Sequence, residues 1–288
     1  MILDRATLGG FPLPDHPEDG DKEDRGRLLV IAGSRELAGA ALLAGIAGLR
    51  AGAGKLQIAT AATVAPSLAV AVPEARVIGC AETENGCLAP EAIPSLLDYA
   101  KGADTIAVGC GLQHGPALEQ LCDALLGSGV DRPLVLDAAI LGCLAPRAET
   151  LRAWKGGAIL LPHAREMARL LDWEDKEVEA DPLAAARRAA ATFRATALIK
   201  GQYSYIAAPD GRAFCFEGGG IGLATSGSGD VLAGIVGGLC ARGADPLAAT
   251  LWGVWLHGEA GRILTDRVGR IGFLAREIAD LVPGLMGA

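Results

Sequence analysis

The stretch ATSGSGDVLAG at residues 224–234 joins a glycine-rich turn to an apolar run of small residues that predicts a buried helix. The unpaired N–H groups of a first helical turn and the positive end of the helix dipole attract anions such as phosphate, which glycines allow to approach closely. Asp230 falls at this helix start, where its carboxylate could take a proton from a hydroxyl that attacks phosphorus. An aspartate in a first turn is also an ordinary capping residue, so the stretch alone leaves both interpretations open.

Length and composition indicate one α/β domain. The chain has 288 residues, of which 51% are hydrophobic and only 4% aromatic, so its core is built from Ala, Val, Leu and Ile. Forty glycines predict close packing of helices on a sheet. No apolar run approaches the roughly 20 uncharged residues needed to cross a bilayer, and the N-terminus lacks a basic segment followed by an apolar one. We therefore expect a cytoplasmic protein with no membrane partner.

Charge and cysteine usage exclude other classes. The net charge of -8 argues against a general nucleic-acid binder, which needs a basic face, but it leaves room for small anionic ligands at helix starts. The seven cysteines are scattered and never form a C-x-x-C pair. We expect free thiols, and neither a disulfide framework nor a zinc site.

The order of predicted elements indicates a mostly parallel sheet. Residues 1–27 are predicted to form an N-terminal arm, because residues 15–24 are rich in charge and proline, and residues 28–288 a single catalytic domain. Short apolar strands alternate with helices along most of this domain, which predicts a sheet covered on both faces. The strands are predicted at 28–32, 55–59, 75–79, 105–109, 134–137 and 158–161, and the helices at 38–50, 90–100, 115–127 and 163–171.

The C-terminal third breaks this alternation. Strands are predicted at 197–199, 203–208 and 213–216, and the Pro-Asp-Gly turn at 209–211 predicts antiparallel pairing. Three helices are predicted to start near Ser228, Asp245 and Leu274. The expected fold is therefore a three-layer α/β sandwich with an antiparallel edge.

Polar or glycine residues follow five of the predicted strands. They are Gly33-Ser34, Gly109 to Leu112, Asp137, Pro162-His163 and Lys200-Gly201. Ligands of open α/β sheets bind at the carboxyl ends of strands, so these residues are candidates for one site. The plainer interpretation is that the glycines turn the chain and that Asp137 caps the following helix.

The chain resembles the ADP-dependent NAD(P)H-hydrate dehydratase family of the ribokinase-like superfamily from Lys22 to Pro283. The resemblance is carried by the order and spacing of the Asp230 stretch and of GRLLVIAGS (26–34), LRAGAG (49–54), VGCGL (108–112), LDA (136–138), PHARE (162–166), IKG (199–201) and LHG (256–258). It implies an enzyme that uses ADP, or ATP, with Mg²⁺ to phosphorylate the added hydroxyl of hydrated NADH or NADPH. Phosphate then leaves and the ring double bond is restored.

The resemblance also implies roles for individual residues. Asp230 would orient and deprotonate the ring hydroxyl, and the helix start is expected to keep it ionised rather than raise its pKa. Ala40, Gly111 and His163 match positions that line the hydrated nucleotide site together with Asp230, although a histidine beside proline is also a common helix cap. The matching nucleotide-binding positions are Lys200, Gly201, Gln202, Tyr203, Ser204, Gly227, Ser228 and Gly229. The sequence identifies no Mg²⁺ ligands, and bacterial members of the family lead us to expect a homo-oligomer.

Some residues depart from the family pattern, mostly around the acceptor. They are Cys110 for proline, Gln113 for glycine, Ala139 for aspartate, Leu161 for threonine, Arg165 for glycine and Gly220 for asparagine. Two alternatives therefore remain: a kinase of a small alcohol, such as a hydroxyethylthiazole or sugar kinase, and a non-catalytic nucleotide-binding protein.

His257 and Glu259 form an H-x-E pair, but no P-C-x-x-C accompanies it, so we expect His257 to serve helix packing.

Overall fold

The computed structural model describes residues 1–17 and 19–287, which form one sheet of nine strands with helices on both faces. Residue 18, in the charged segment 15–24, and residue 288 lie outside the described residues. The strands are β1 Arg27–Ile31, β2 Lys55–Ala61, β3 Ala75–Cys80, β4 Thr105–Val108, β5 Leu134–Leu136, β6 Ala158–Leu160, β7 Thr196–Ile199, β8 Tyr203–Ala207 and β9 Ala213–Glu217. The sheet order is β3-β2-β1-β4-β5-β6-β7-β8-β9.

Helices follow most of the strands along the chain. They are α1 Arg5–Leu8, α2 Ala38–Arg50, α3 Ala65–Ala71, α4 Ile93–Lys101, α5 Pro116–Leu126, α6 Ala148–Arg152, α7 Ala164–Leu171, α8 Asp175–Ala180, α9 Pro182–Phe193, α10 Ser228–Ala241, α11 Pro246–Arg267 and α12 Ala275–Met286. Short 3-10 turns occupy Pro90–Ala92, Ala138–Cys143, Ala145–Arg147 and Ile221–Leu223. None of the described helices is both long and apolar enough to cross a membrane.

The sheet is parallel from β3 through β7, and β8 and β9 are antiparallel to their neighbours. The predicted fold class is confirmed, including the antiparallel edge. Alternate residues of β1 face opposite sides, so Leu28 and Val30 join one apolar core while Leu29 and Ile31 join the other. The first core also contains residues of α2, α10, α11 and α12, and the second contains residues of α4, α5, α7 and α9. This double coverage explains why the inner strands are apolar throughout.

The N-terminal residues pack against the antiparallel edge. Leu3 and Leu8 are buried, and the Leu3 main-chain N–H donates to the carbonyl of Cys215 in β9 at 2.8 Å. The indole Nε1 of Trp252 in α11 donates to the carbonyl of Phe11 at 2.7 Å. Contacts with the domain thus begin well before β1, and the division into an arm and a domain at residue 27 stays a prediction.

Helices α2 and α10 pack with their main chains in contact. The face of α10 that meets α2 carries Gly234 and Gly238, and a methyl group on either would collide with a main-chain carbonyl of α2, at Ala44 or Gly48 respectively. Every residue of α10 from Val231 to Ala241 is buried. The abundant glycines therefore serve close contact between two helices as well as between helix and sheet.

We expect Gly238→Ala to lower the free energy of unfolding by about 1–3 kcal/mol, because the new methyl group forces α10 away from α2. The matched control is Gly39→Ala, since a methyl group on this helical glycine of α2 meets nothing within 4 Å. That control is expected to change stability by less than about 1 kcal/mol, in the stabilising direction. Urea unfolding followed by circular dichroism measures both, and equal midpoints for the two variants would contradict the packing argument.

The strand order fixes where a ligand can bind. From β1 the chain moves outward through β2 and β3, then returns to the other side of β1 and continues through β4 to β9. The connections after β1 and β4 therefore leave the sheet in opposite directions and open a crevice at the carboxyl ends of these strands. Gly33 follows β1 and Gly109 follows β4, so the predicted strand-end residues lie at this crevice.

Candidate active site

The loops after β1 and β4 meet at the crevice. The Gly33 N–H donates to the Cys110 carbonyl at 2.8 Å, which ties the two loops together. Gly111 has φ +65°, and a methyl group on it would lie 2.7 Å from the Cβ of Ala40 in α2. The structure thus brings Ala40 and Gly111, two predicted substrate-site residues, into contact, and only glycine fits at position 111.

Helix α10 starts at Ser228, as predicted, and its first turn is open. Gly227 precedes it in the left-handed conformation, with φ +86°, and no side chain caps the helix. The N–H groups of a first turn lack partners within their own helix. The start of α10 therefore offers main-chain donors and the positive end of the helix dipole to an anion.

Asp230 lies in this first turn, half-buried, beside the end of β4. One of its carboxylate oxygens, an oxygen of Asp137 and the Sγ atom of Cys110 all lie within 4.8 Å of one another. Burial raises the pKa of Asp230 to about 6, and the charge of Asp137 adds to this increase. The expectation that the helix start would keep its pKa from rising was wrong, because loss of water and a neighbouring carboxylate outweigh the helix dipole.

Asp137 forms an ion pair rather than a helix cap. Its side chain caps nothing in the 3-10 turn that follows β5, so the capping interpretation was wrong. Instead its Oδ1 lies 2.5 Å from the Nζ of Lys200, with side-chain exposures of 4% and 21%. Burial by itself would lower the pKa of Lys200, but the carboxylates of Asp137 and Glu166 reverse this, and the net pKa is raised. Lys200 is therefore a permanent cation at the site.

Lys200 is held over the start of α10. A methyl group on Gly229 would lie 3.4 Å from the Lys200 Nζ and 3.9 Å from the Asp137 Oδ2. The ammonium group, the first turn of α10 and the Asp230 carboxylate thus lie within a few ångströms of each other. An anion seated on this turn would meet both the helix start and a fixed positive charge.

A cavity of about 990 Å³ opens on the Lys200 side of the α10 start. Most of the predicted nucleotide-binding residues line its wall, namely Lys200, Gly201, Gln202, Ser204, Ser228 and Gly229, and His163 is also there. Its apolar wall is supplied by α11, the 3-10 turn Ile221–Leu223 and Phe216. Tyr203 and Gly227 are not part of this wall. Side chains of β8 alternate between faces, so Ser204 faces the cavity while the Tyr203 side chain remains half-exposed.

His163 is a helix cap that also lines the cavity. Its ring Nδ1 accepts from the main-chain N–H of Glu166 at 3.3 Å. The main-chain N–H of His163 donates in return to the Glu166 Oε2 at 2.9 Å, and the two bonds form a capping box at the start of α7. Its side chain is 52% exposed. The cap fixes the imidazole in place, and its Nε2 lies 3.6 Å from the Glu166 Oε1.

His257 contributes more to the site than its predicted packing role. This partly buried residue of α11, which also lines the cavity, places its Nε2 2.9 Å from the Ser228 Oγ and 3.1 Å from the Ser228 carbonyl. Burial lowers the pKa of His257 to about 4, so the ring is neutral at physiological pH. It therefore joins α11 to the first turn of α10 without adding charge.

Cys110, Asp137 and Asp230 form the closest cluster of possible metal ligands among the described residues. The cluster does not suit Mg²⁺, which prefers six oxygen ligands in an octahedron and binds poorly to thiols. The Lys200 ammonium also occupies the Asp137 carboxylate. These three side chains therefore do not form a site for a magnesium ion.

Known proteins are similar to this chain in sequence and in fold. A family model described as NAD(P)H-hydrate dehydratase matches residues 28–284. The ADP-dependent (S)-NAD(P)H-hydrate dehydratase of Xanthomonas campestris is 46% identical over 285 residues, which cover 98% of this chain and 94% of the relative. Bifunctional NAD(P)H-hydrate repair enzymes also match, and the chain spans about half of their length, 51% in Moorella thermoacetica at 37% identity.

Solved structures of similar proteins superimpose on this fold. The ADP/ATP-dependent NAD(P)H-hydrate dehydratase of Bacillus subtilis, co-crystallised with ATP and Mg²⁺, superimposes with a TM-score of 0.83 at 30% identity and covers 99% of this chain and 97% of its own. A ribokinase-like superfamily protein of Enterococcus faecalis superimposes with a TM-score of 0.84 at 25% identity and covers 99% of this chain and 95% of its own.

Proposed function

Because the chain belongs to the NAD(P)H-hydrate dehydratase family and is an ADP-dependent enzyme that repairs hydrated NADH and NADPH, we propose that it does so at the start of α10, with Asp230 as its catalytic base. The nucleotide would occupy the 990 Å³ cavity, and the hydrated nicotinamide ring would lie against Ala40 and Gly111 on the other side of Asp230. The proposed contacts are completed by residues of the cavity wall, namely His163, Lys200, Gly201, Gln202 and Ser204, and a contact by Tyr203 stays a prediction. The alternatives of an alcohol kinase and of a non-catalytic protein fall away with the family assignment.

The proposed first step is phosphoryl transfer. The hydroxyl oxygen of the hydrated ring attacks the terminal phosphorus of ADP, the bond to the bridging oxygen breaks, and AMP leaves. Asp230 takes the hydroxyl proton as the new bond forms. The N–H groups at Gly227 and Gly229, together with the Lys200 ammonium, would face the charge that develops on the transferred group, whereas the predicted donor at Ser228 gives its N–H to the Thr225 carbonyl at 3.2 Å.

In the second step the carbon–oxygen bond to the phosphate breaks, the adjacent ring carbon loses a proton, and the double bond of NADH or NADPH is restored. Phosphorylation makes this possible because phosphate is a far better leaving group than hydroxide. The observation that carries the proposal is the position of Asp230, which lies between the open first turn of α10 and the crevice after β1 and β4.

The proposal also covers which nucleotide the enzyme uses and how Mg²⁺ reaches the site. We propose that ATP can replace ADP and that Mg²⁺ arrives bound to nucleotide phosphates and water, as this ion usually does. The Bacillus subtilis relative, crystallised with ATP and Mg²⁺, supports this proposal. The homo-oligomeric state and the cytoplasmic location stay predictions.

An assay with hydrated NADH tests the function directly. We expect the near-ultraviolet absorbance of reduced nicotinamide to appear only when ADP or ATP is supplied with Mg²⁺, and one AMP to form per NADH when ADP is used. A chelator in excess of Mg²⁺ should stop the reaction, and added Mg²⁺ should restore it. A phosphorylated product that accumulates without any NADH would contradict the dehydratase assignment and point to a kinase.

The raised pKa of Asp230 predicts the pH dependence. A base acts only as the carboxylate, so kcat/KM should be constant above about pH 6 and fall about tenfold per unit below it. Bound phosphates repel the carboxylate further, so the acid limb of kcat should lie at the same pH or higher. Initial rates between pH 4.5 and 8 measure both limbs. An acid limb near the ordinary aspartate pKa of about 4 would show that Asp230 is not the base.

A further inference from the structure

Cys110 lies between the two carboxylates of the site. Its Sγ is 3.8 Å from the Asp137 Oδ2, within hydrogen-bonding distance for sulfur, and within 4.8 Å of an Asp230 oxygen. The thiol is 3% exposed and belongs to the first apolar core.

The main chain holds the thiol in this position. The Cys110 carbonyl accepts from the Gly33 N–H at 2.8 Å. Gly109 and Gly111 flank it with φ +126° and +65°, and a methyl group on Gly109 would collide with the Asp137 carbonyl. The ends of β4 and β5 are therefore held together, which fixes the main chain of Cys110 beside Asp137.

Two aspartates this close repel each other when both are ionised. The Lys200 ammonium binds the Oδ1 of Asp137 and offsets its negative charge, and the Oδ2 of Asp137 faces Cys110. Burial raises the pKa of the Cys110 thiol well above its ordinary value, and the two carboxylates add to the increase. The sulfur therefore keeps its proton at neutral pH and acts as a donor between two acceptors.

We propose that Cys110 is a positioning residue whose thiol proton bridges Asp137 and Asp230 and thereby keeps Asp230 ionised and fixed for proton transfer. The inference rests on the proposed role of Asp230 as the base. It adds to the proposed site a buried thiol that has no role in the two steps described above.

The groups that face Asp230 come from three elements. Cys110 follows β4, Asp137 follows β5 and Lys200 follows β7. On the neighbouring helices, His257 of α11 contacts Ser228, and Glu166 of α7 acts on Lys200. Hydrogen bonding by Cys110 and the charge of Lys200 both lower the pKa of Asp230, against burial and the charge of Asp137, which raise it.

The test removes the thiol donor of Cys110 and leaves Lys200 unchanged. Cys110→Ala and Cys110→Val lack a donor, and Cys110→Ser restores one. Cys122→Ala is the control, since it removes a buried thiol of α5 that belongs to the second apolar core. Proteins labelled with ¹³C in the aspartate carboxyl are titrated by NMR, and Asp230 is assigned from the signal lost in Asp230→Asn. Circular dichroism checks that each variant folds, and valine serves if alanine does not.

We expect the Asp230 midpoint to rise by about 0.5–1 unit in the alanine and valine variants and to stay within about 0.3 unit of the parent in the serine and control variants. The acid limb of kcat/KM should move with it. An unmoved midpoint in folded Cys110→Ala or Cys110→Val, or a serine variant that matches them, would overturn the proposal. A moved midpoint without a moved acid limb would instead refute Asp230 as the base, so the two proposals fail separately.

Discussion

Asp230→Asn is expected to lower kcat by about 10²-fold or more while ADP still binds with nearly parental affinity. The amide keeps the size of the side chain but cannot take the hydroxyl proton during phosphoryl transfer. Its neutral charge also removes the repulsion with Asp137, so the variant should fold at least as stably as the parent. Steady-state rates with hydrated NADH and calorimetric titration with ADP separate the two effects.

The control for this prediction is Asp245→Asn. Asp245 caps the neighbouring helix α11, where asparagine caps equally well, and it lies outside the cavity wall. This control should keep the parental rate. An Asp230→Asn enzyme as fast as the parent would remove Asp230 from the mechanism, and a loss of ADP binding in it would show that the residue mainly shapes the nucleotide site.

Lys200→Met is expected to lower kcat/KM by about 10²–10³-fold, because it removes a positive charge fixed against the phosphate-binding turn. It also leaves the Asp137 carboxylate buried without its partner. Loss of one member of such a pair is expected to lower the free energy of unfolding by up to about 3 kcal/mol. Activity and stability should therefore fall together in this variant.

A second substitution separates the two losses. In the double variant Lys200→Met with Asp137→Asn no unpaired charge remains, so most of the stability should return while the activity stays low. Asp137→Asn alone should keep the ammonium in place and lose less activity than Lys200→Met. If the double variant recovers activity along with stability, Lys200 has a structural role only.

The elements of the fold were largely predictable from local patterns. The buried parallel strands appear as short continuous apolar runs, and the Pro-Asp-Gly turn marks the hairpin between β8 and β9. The starts of α10, α11 and α12 fall within a residue of their predictions. Helices α1, α3, α6, α8 and α9 were not predicted, and of these only α3 and α9 are longer than six residues. The buried face of α9 consists of four alanines and Phe193, which is a weaker apolar pattern than one of leucine or isoleucine, and α3 has only seven residues.

The candidate site was predictable as a set of strand ends, but its electrostatics were not. The Asp137–Lys200 pair joins residues 63 positions apart, and no local pattern indicates which strand ends become neighbours. The pKa of Asp230 depends on how deeply the ends of β4 and β5 bury it, which is a property of tertiary packing. His257 carried one usable signal, the LHG segment, but its contact with Ser228 needs the relative placement of α10 and α11.

The contact between α2 and α10 constrains how this enzyme can change its specificity. Ala40 at the start of α2 would border the acceptor, and Ser228 at the start of α10 would border the donor. Behind them, the close contact that Gly234 and Gly238 make with α2 leaves no space for one helix to slide on the other. The distance between the two half-sites is therefore set by a rigid frame. In a laboratory selection for new acceptors, accepted substitutions should therefore concentrate in the loop after β4, and the glycines between α2 and α10 should remain unchanged.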